Sequence, residues 1–207
     1  MPIDFKKIEK DLYQPRTIPS IINVPEMKYI AVDGKGDPNK SLEYAEAVEL
    51  LYGLSYAIKM SNKSILEYVV PPLEGFWSVD DDFRGGGAEI NDKSKFIWTM
   101  MIRQPDFVTE DILEVAKISL AKKKPNLDIS KAKLETITEG LCVQVMHIGS
   151  YDDEPATVAA LDGFAIENGY VLDINDIRRH HEIYISDPRK VAPEKLKTVI
   201  RHPIRKA

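Results

Sequence analysis

A strand closed by a glycine-containing turn and followed by an amphipathic helix occurs twice in this sequence, and that recurrence constrains the fold more than any other feature. The first copy runs from YIAVDGKGDPNK into a helix spanning Asn39 to about Met60. There Tyr44, Val48, Leu51, Leu54 and Ile58 recur at helical spacing and form one apolar stripe. The second runs from VQVMHIGSYDDEP into ATVAALDGFAIENGY, where Val158, Leu161 and Ala165 share a side. Two strand-like segments follow each helix, at residues 66–79 and 94–104 in the first half and at HEIYIS and KTVIRHPI in the second.

The expected class is therefore α+β: tandem strand-helix-strand-strand repeats whose antiparallel sheets carry helices on one face and leave a central ligand groove at the seam. Residues 1–19 form a lead-in of a short helix and an extended stretch, too short for a helix-turn-helix reader of DNA. Residues 20–207 form one unit of two halves, about 20–108 and 130–207. A helix at about 109–124 joins them, opened by Thr109 as N-cap with acids in its first turn and closed by lysines before Pro125.

Composition narrows the functional classes. With 28 Lys+Arg against 33 Asp+Glu and a net charge of -5, the chain lacks the basic excess that draws a protein to nucleic acid. One cysteine forms no intramolecular disulfide, the N-terminus has no apolar signal core, and no apolar run approaches a membrane span, so a cytoplasmic, membrane-free protein is expected. Cys142, between Leu141 and Val143, reads as a small buried hydrophobe. The run RGGGAE at residues 84–89 lacks a P-loop ending and reads as a hairpin loop or lid.

The segment His180–Asp187 alternates, so Glu182, Tyr184 and Ser186 share one face while Ile183 and Ile185 take the other. On a groove face, desolvation would raise the Glu182 carboxyl and make it reactive or selective for cations; on a solvated face it would be an ordinary surface acid. Trp77 and Trp98 lie on strands of the first half, where their flat faces can sandwich a planar ligand or simply pack the core. Tyr56, Tyr151, Phe164, Tyr184 and His147 complete the candidate binding set. His147, His180 and His181 lack zinc-type spacing, and neither a metal nor an organic cofactor is expected.

Four segments together, YGLSYAIKM at 52–60, PPLEGFW at 71–77, FIWTMMIRQPDFVT at 96–109 and HEIYISDPRKVAPEKLKTVIRHPI at 181–204, resemble stand-alone GyrI-like small-molecule-binding proteins. The resemblance implies paired repeats around a cavity with an acidic residue among aromatics, similar in position to Glu182. Within that family the sequence is most similar to the cyclopropanoid hydrolase branch, which opens the strained cyclopropane of DNA-alkylating natural products by adding water. This implies a detoxifying, cofactor-independent enzyme in which the carboxylate of Glu182 takes a proton from water, the tryptophans hold a planar aromatic substrate, and Tyr56 or Tyr151 donates a hydrogen bond to its carbonyl. The alternative is a binding module without catalysis: a drug sink, a sensor or a gyrase or partner modulator taking planar, often cationic aromatic ligands. Monomer and homodimer both stay open.

Overall fold

In the computed structural model, which describes residues 2–79 and 92–207, apolar alternation sorts the side chains of a ring of strands onto two faces. The ring comprises β1 (Ser20–Lys35), β2 (Leu73–Val79), β3 (Phe96–Gln104), β4 (Lys133–Ile148), β6 (His180–Tyr184) and β7 (Lys197–Lys206). Their order is β4-β1-β3-β2-β6-β7, and β7 pairs back onto β4, so the ring is a closed antiparallel barrel. A short strand, β5 (Tyr170–Leu172), pairs with the end of β7.

Closure differs from the expected pair of joined sheets, and its cause is the length of two strands. β1 and β4 are each 16 residues long and pair from Ser20–Gln144 to Ala31–Lys133, while β7 holds both β4 and β6. With both edges taken, no open groove runs between two sheets among the described residues. Gly34, expected in a turn, instead lies within β1 opposite Trp98, whose ring covers it.

The three long helices pack on the outer face. α3 (Leu42–Ser61) begins where Ser41 Oγ accepts the Tyr44 N–H at 3.2 Å, and its stripe of Leu50, Leu51, Leu54 and Ile58 packs with α4 (Glu110–Lys123) over Ile30, Val32, Trp98, Met100 and Ile102. Thr109 caps α4, as its sequence indicates. α5 (Glu154–Glu167) buries Val158, Leu161 and Ala165 against Val143, Val145 and Ile200. Burying a large aliphatic or aromatic side chain is worth about 1.5–3 kcal/mol, so these stripes are the main attachment of the helices.

The inner face, expected to be free, is occupied. α1 (Phe5–Ile8) and α2 (Lys10–Tyr13) place Phe5, Leu12 and Tyr13 against Met27, Tyr29, Phe76, Met101 and Ile183. Beside them lies a buried ionic network: Glu139 accepts from Arg201 at 2.7 Å and faces His181 Nδ1 at 3.0 Å, and His181 Nε2 lies 3.1 Å from Glu74. Arg201 also donates to Gln144 and to the Leu12 carbonyl, which ties the N-terminal segment to the barrel. Its charge and that of His181 hold the Glu139 carboxyl at about 2, against the opposing pull of burial. Among the described residues no helix is long and apolar enough to cross a membrane.

Candidate functional site

The pleat of β6 sends His181 and Ile183 into the barrel and His180, Glu182 and Tyr184 outward, into the seam between the α3–α4 layer and α5. Glu182 is not a solvated surface acid, because only 13% of its side chain is exposed. Opposite it on β2 sits Gly75, where an added Cβ would come within 2.8 Å of Trp77 Nε1. The missing side chain is what lets the Trp77 indole reach toward β6.

Every oxygen of Glu182 has a partner. Oε1 faces His180 Nε2 at 2.9 Å, and Oε2 accepts the Tyr184 hydroxyl at 2.8 Å. The same hydroxyl accepts the Trp77 Nε1–H at 2.8 Å, so one tryptophan and the carboxylate are joined through Tyr184. Glu154, the first residue of α5, also hydrogen-bonds Glu182, while its own buried Oε1 has no partner.

Burial should raise the Glu182 pKa, as its sequence context suggests, but the hydrogen bonds from His180, Tyr184 and Glu154 together with the His180 charge outweigh it, and the carboxyl sits below its ordinary value. The raised acid is Glu154, pushed well above the usual carboxylate range by burial and then by the negative charge of Glu182. The seam thus contains two carboxyls in contact whose pKa values are pushed apart, the division of roles that acid–base chemistry uses.

Beyond Glu182 the network continues. His180 Nδ1 lies 2.7 Å from His202 Nε2, and His202 Nδ1 lies 2.6 Å from Asp162 Oδ1 on α5. Both histidines are buried, whereas the Asp162 side chain is 24% exposed. Burial, foremost, depresses the His202 pKa.

Aromatic rings close the other side. Tyr44 lies 6.1 Å from Trp77 and edge-on to Trp98 at 5.3 Å, Phe96 stands edge-on to Trp77 at 5.4 Å, and Tyr151 stands edge-on to Tyr184 at 5.8 Å. Trp98 is fully buried and Trp77 nearly so, while Tyr151 is 38% exposed at the rim. Lys93 pairs with Asp152 at 2.8 Å, linking the turn before β3 to the turn that bears Tyr151. Two surface clefts lie elsewhere, one of about 350 Å³ around Phe76, Thr138 and Arg179 and one of about 610 Å³ around Lys7, Arg16 and Met146. Neither is lined by Glu182, and the density of paired acid, imidazole and ring groups makes the seam the candidate site.

A family model, the GyrI-like small molecule binding domain, matches residues 18–205. The chain belongs to the GyrI-like family. Three solved structures from Listeria innocua are similar to it. One, an uncharacterized conserved protein, is 48% identical with a TM-score of 0.91 over 98% of this chain and all (100%) of its own. Two hydrolases are each 46% identical: one has a TM-score of 0.88 over 98% of this chain, the other 0.89 over 99%, and each is itself covered at 100%. No curated protein matches the sequence.

In this GyrI-like protein the structure brings Glu182, Tyr184, Trp77, Trp98 and Tyr151 to one place. Tyr56 is 52% exposed and stacks with Tyr52 at 6.4 Å on α3, away from the carboxylates. Phe164, on α5, packs against the cluster of Val143, Val158, Leu161 and Ile200, as do Tyr170 and Leu172. His147 is buried on β4, with Nδ1 on Thr157 at 2.8 Å and Nε2 on the Ser150 carbonyl at 3.0 Å, which fixes the start of α5 and therefore the position of Glu154. Ser186 lies past the end of β6 and accepts the Lys197 N–H. The lid expected at residues 84–89 lies outside the described residues. Cys142 is buried, its thiol pushed up to about 12 by desolvation.

Sequence reasoning missed His180, His202, Asp162, Glu154, Tyr44 and Phe96 as site residues. A signal existed for His180, which shares the Glu182 face by simple alternation. His202 and Asp162 gave none, since their meeting depends on the register of β7 and the rotation of α5. Among the described residues no group of three or more His, Cys, Asp or Glu side chains is arranged to hold a metal ion.

Proposed function

We propose that this GyrI-like protein is a cofactor-independent hydrolase that adds water to the strained cyclopropane of planar, DNA-alkylating compounds, with Glu182 as the base. The observation that carries the reading is the buried pair of carboxyls, their pKa values pushed in opposite directions, set against a wall of aromatic rings. The Listeria innocua relatives described as hydrolases support it.

In this reading a water molecule sits between Glu182 and the unpartnered Oε1 of Glu154. Its oxygen bonds to the cyclopropane methylene carbon as the ring C–C bond breaks. The released electron pair passes through the conjugated ring to the carbonyl oxygen, and Glu182 takes the proton of the water. Trp77 and Trp98 hold the flat ring by stacking once Tyr44 and Tyr151, the partly exposed rings of the set, swing aside. Tyr151, its hydroxyl held protonated by a pKa raised to about 12 through burial and the charge of Glu182, donates to the developing oxyanion in this reading.

The test is to mix the protein with a spirocyclopropyl-dienone alkylator in large molar excess and follow the mass of the ligand. Conversion of many equivalents to the water adduct supports the hydrolase. Unchanged ligand retained near one equivalent per chain supports instead a sink or sensor, in which the Glu182 carboxylate and rings select a planar cation.

A further inference from the structure

The lead-in before β1 and one end of the barrel face each other across the cleft of about 610 Å³. We propose that this cleft is a second ligand site, sharing no residue with the Glu182 seam, and that it takes one free amphipathic anion: a carboxylate head on an alkyl tail, as in a fatty acid.

Hydrogen bonds hold the lead-in wall in shape. Asp4 accepts the Lys6 N–H at 3.2 Å, Gln14 Nε2 donates to the Lys6 carbonyl at 2.7 Å, and the Arg16 carbonyl accepts the Met146 N–H at 2.9 Å, which pins the wall to β4. The barrel supplies the other wall, where Lys197 opens β7 directly opposite Ile148, the last residue of β4. The volume is within the range of about 300–1,000 Å³ usual for small-molecule sites.

Charge selects the head. Lys6, Lys7, Arg16 and Lys197 line the cleft against a single acid, Asp4. Lys7 lies 3.8 Å from Asp4, whereas Lys6, Arg16 and Lys197 have no ion-pair partner among the described residues. Three uncompensated cations around one concavity, in a chain of net charge -5, make a local positive potential that a bound anion relieves.

Apolar surface selects the tail. Met146 belongs to the inner-face core and Ile185 packs against it, while Ile18 and Ile148 are 66% and 50% exposed. Solitary exposed aliphatics are ordinary, but these line the same cleft as the cations. An alkyl chain laid on them leaves water, and the methylene stems of the lysines and Arg16 can flank it while their charged ends meet the carboxylate.

A free anion fits better than an anionic membrane surface. The cations line a concavity between two walls instead of projecting from a convex face, and the overall negative charge of the chain opposes approach to an anionic bilayer.

The test uses monomeric sodium decanoate with the full chain. Calorimetric titration is combined with trypsin digestion, cleavage after Lys6 and Lys7 being followed by mass. Wild type should bind near one equivalent, and decanoate should slow that cleavage severalfold. The double variant Arg16→Gln/Lys197→Gln, in which both side chains are exposed and unpaired and whose fold is checked by Tm, should bind at least tenfold more weakly. Ile18→Ser/Ile148→Ser should weaken binding similarly, Glu182→Gln should not, and added salt should lower the affinity. Decyltrimethylammonium, with the same tail and the opposite charge, should give no protection.

Absence of saturable binding, or equal affinity in the folded Arg16→Gln/Lys197→Gln variant, overturns the proposal. So does protection by decyltrimethylammonium equal to that by decanoate. Binding lost in Glu182→Gln alone would put the anion in the seam. Sedimentation of wild type, but not of Arg16→Gln/Lys197→Gln, with phosphatidylglycerol vesicles would make the cleft a membrane contact, which also contradicts a site for a free anion.

Discussion

Glu154 and Glu182 touch in a buried seam, hydrogen-bonded to each other, and their carboxyl pKa values move in opposite directions from the same ordinary value of 4.5. Like charges at contact in a poorly solvated place do not both persist, so one carboxyl keeps the proton. The asymmetry comes from neighbours: His180 and Tyr184 donate to Glu182, and nothing comparable reaches Glu154 Oε1.

Glu154→Gln is therefore expected to stabilise the protein at neutral pH. A carboxyl whose folded pKa is raised adds stability that is complete below its unfolded pKa and is lost as pH rises through the folded value. The amide keeps a neutral donor for Glu182 without that loss, so Tm at pH 7 should equal or exceed wild type and the gap should narrow toward pH 4. Thermal unfolding across that range checks it; a variant less stable at pH 7 than at pH 4, relative to wild type, contradicts the assignment.

Tyr184→Phe removes the hydroxyl that holds the ionised form of Glu182 and the acceptor of the Trp77 N–H. The Glu182 pKa should rise, and the acid limb of kcat/KM should move up by on the order of one pH unit. An unmoved acid limb with a lower plateau would mean that Tyr184 only packs.

Gly34→Ala tests the placement of Trp98. A Cβ at residue 34 would lie 2.1 Å from Trp98 Cη2, with two further ring atoms within 2.6 Å, and Trp98 is fully buried among Tyr44, Met100 and α3. The ring has to leave, at a cost of about 1–3 kcal/mol by the usual scale of overpacking. Urea denaturation and tryptophan emission measure both effects, and wild-type stability with unaltered emission would place the indole elsewhere.

Much of this arrangement was legible before any coordinates. The stripe ending near Ser61 and the capped start at Thr109 mark α3 and α4 because helix periodicity and capping are local. Strand alternation set Glu182 with Tyr184 for the same reason. The first half of β4 was not legible, since Glu135, Thr136, Thr138 and Gly140 resemble a polar loop and are strand only because β1 pairs with them. Closure of the barrel, the N-terminal segment against its inner face and the His180–His202–Asp162 file all arise from contacts between residues far apart in sequence, where no local pattern reports.

The central claim is that Glu182 removes a proton from water, and the most direct measurement is single-turnover mass analysis of a spirocyclopropyl-dienone alkylator with wild type and Glu182→Gln, alongside ligand titration by tryptophan quenching. The expected result is formation of the water adduct by wild type, none above the uncatalysed rate with Glu182→Gln, and similar binding by both. Adduct formation by a folded Glu182→Gln at the wild-type rate would contradict it.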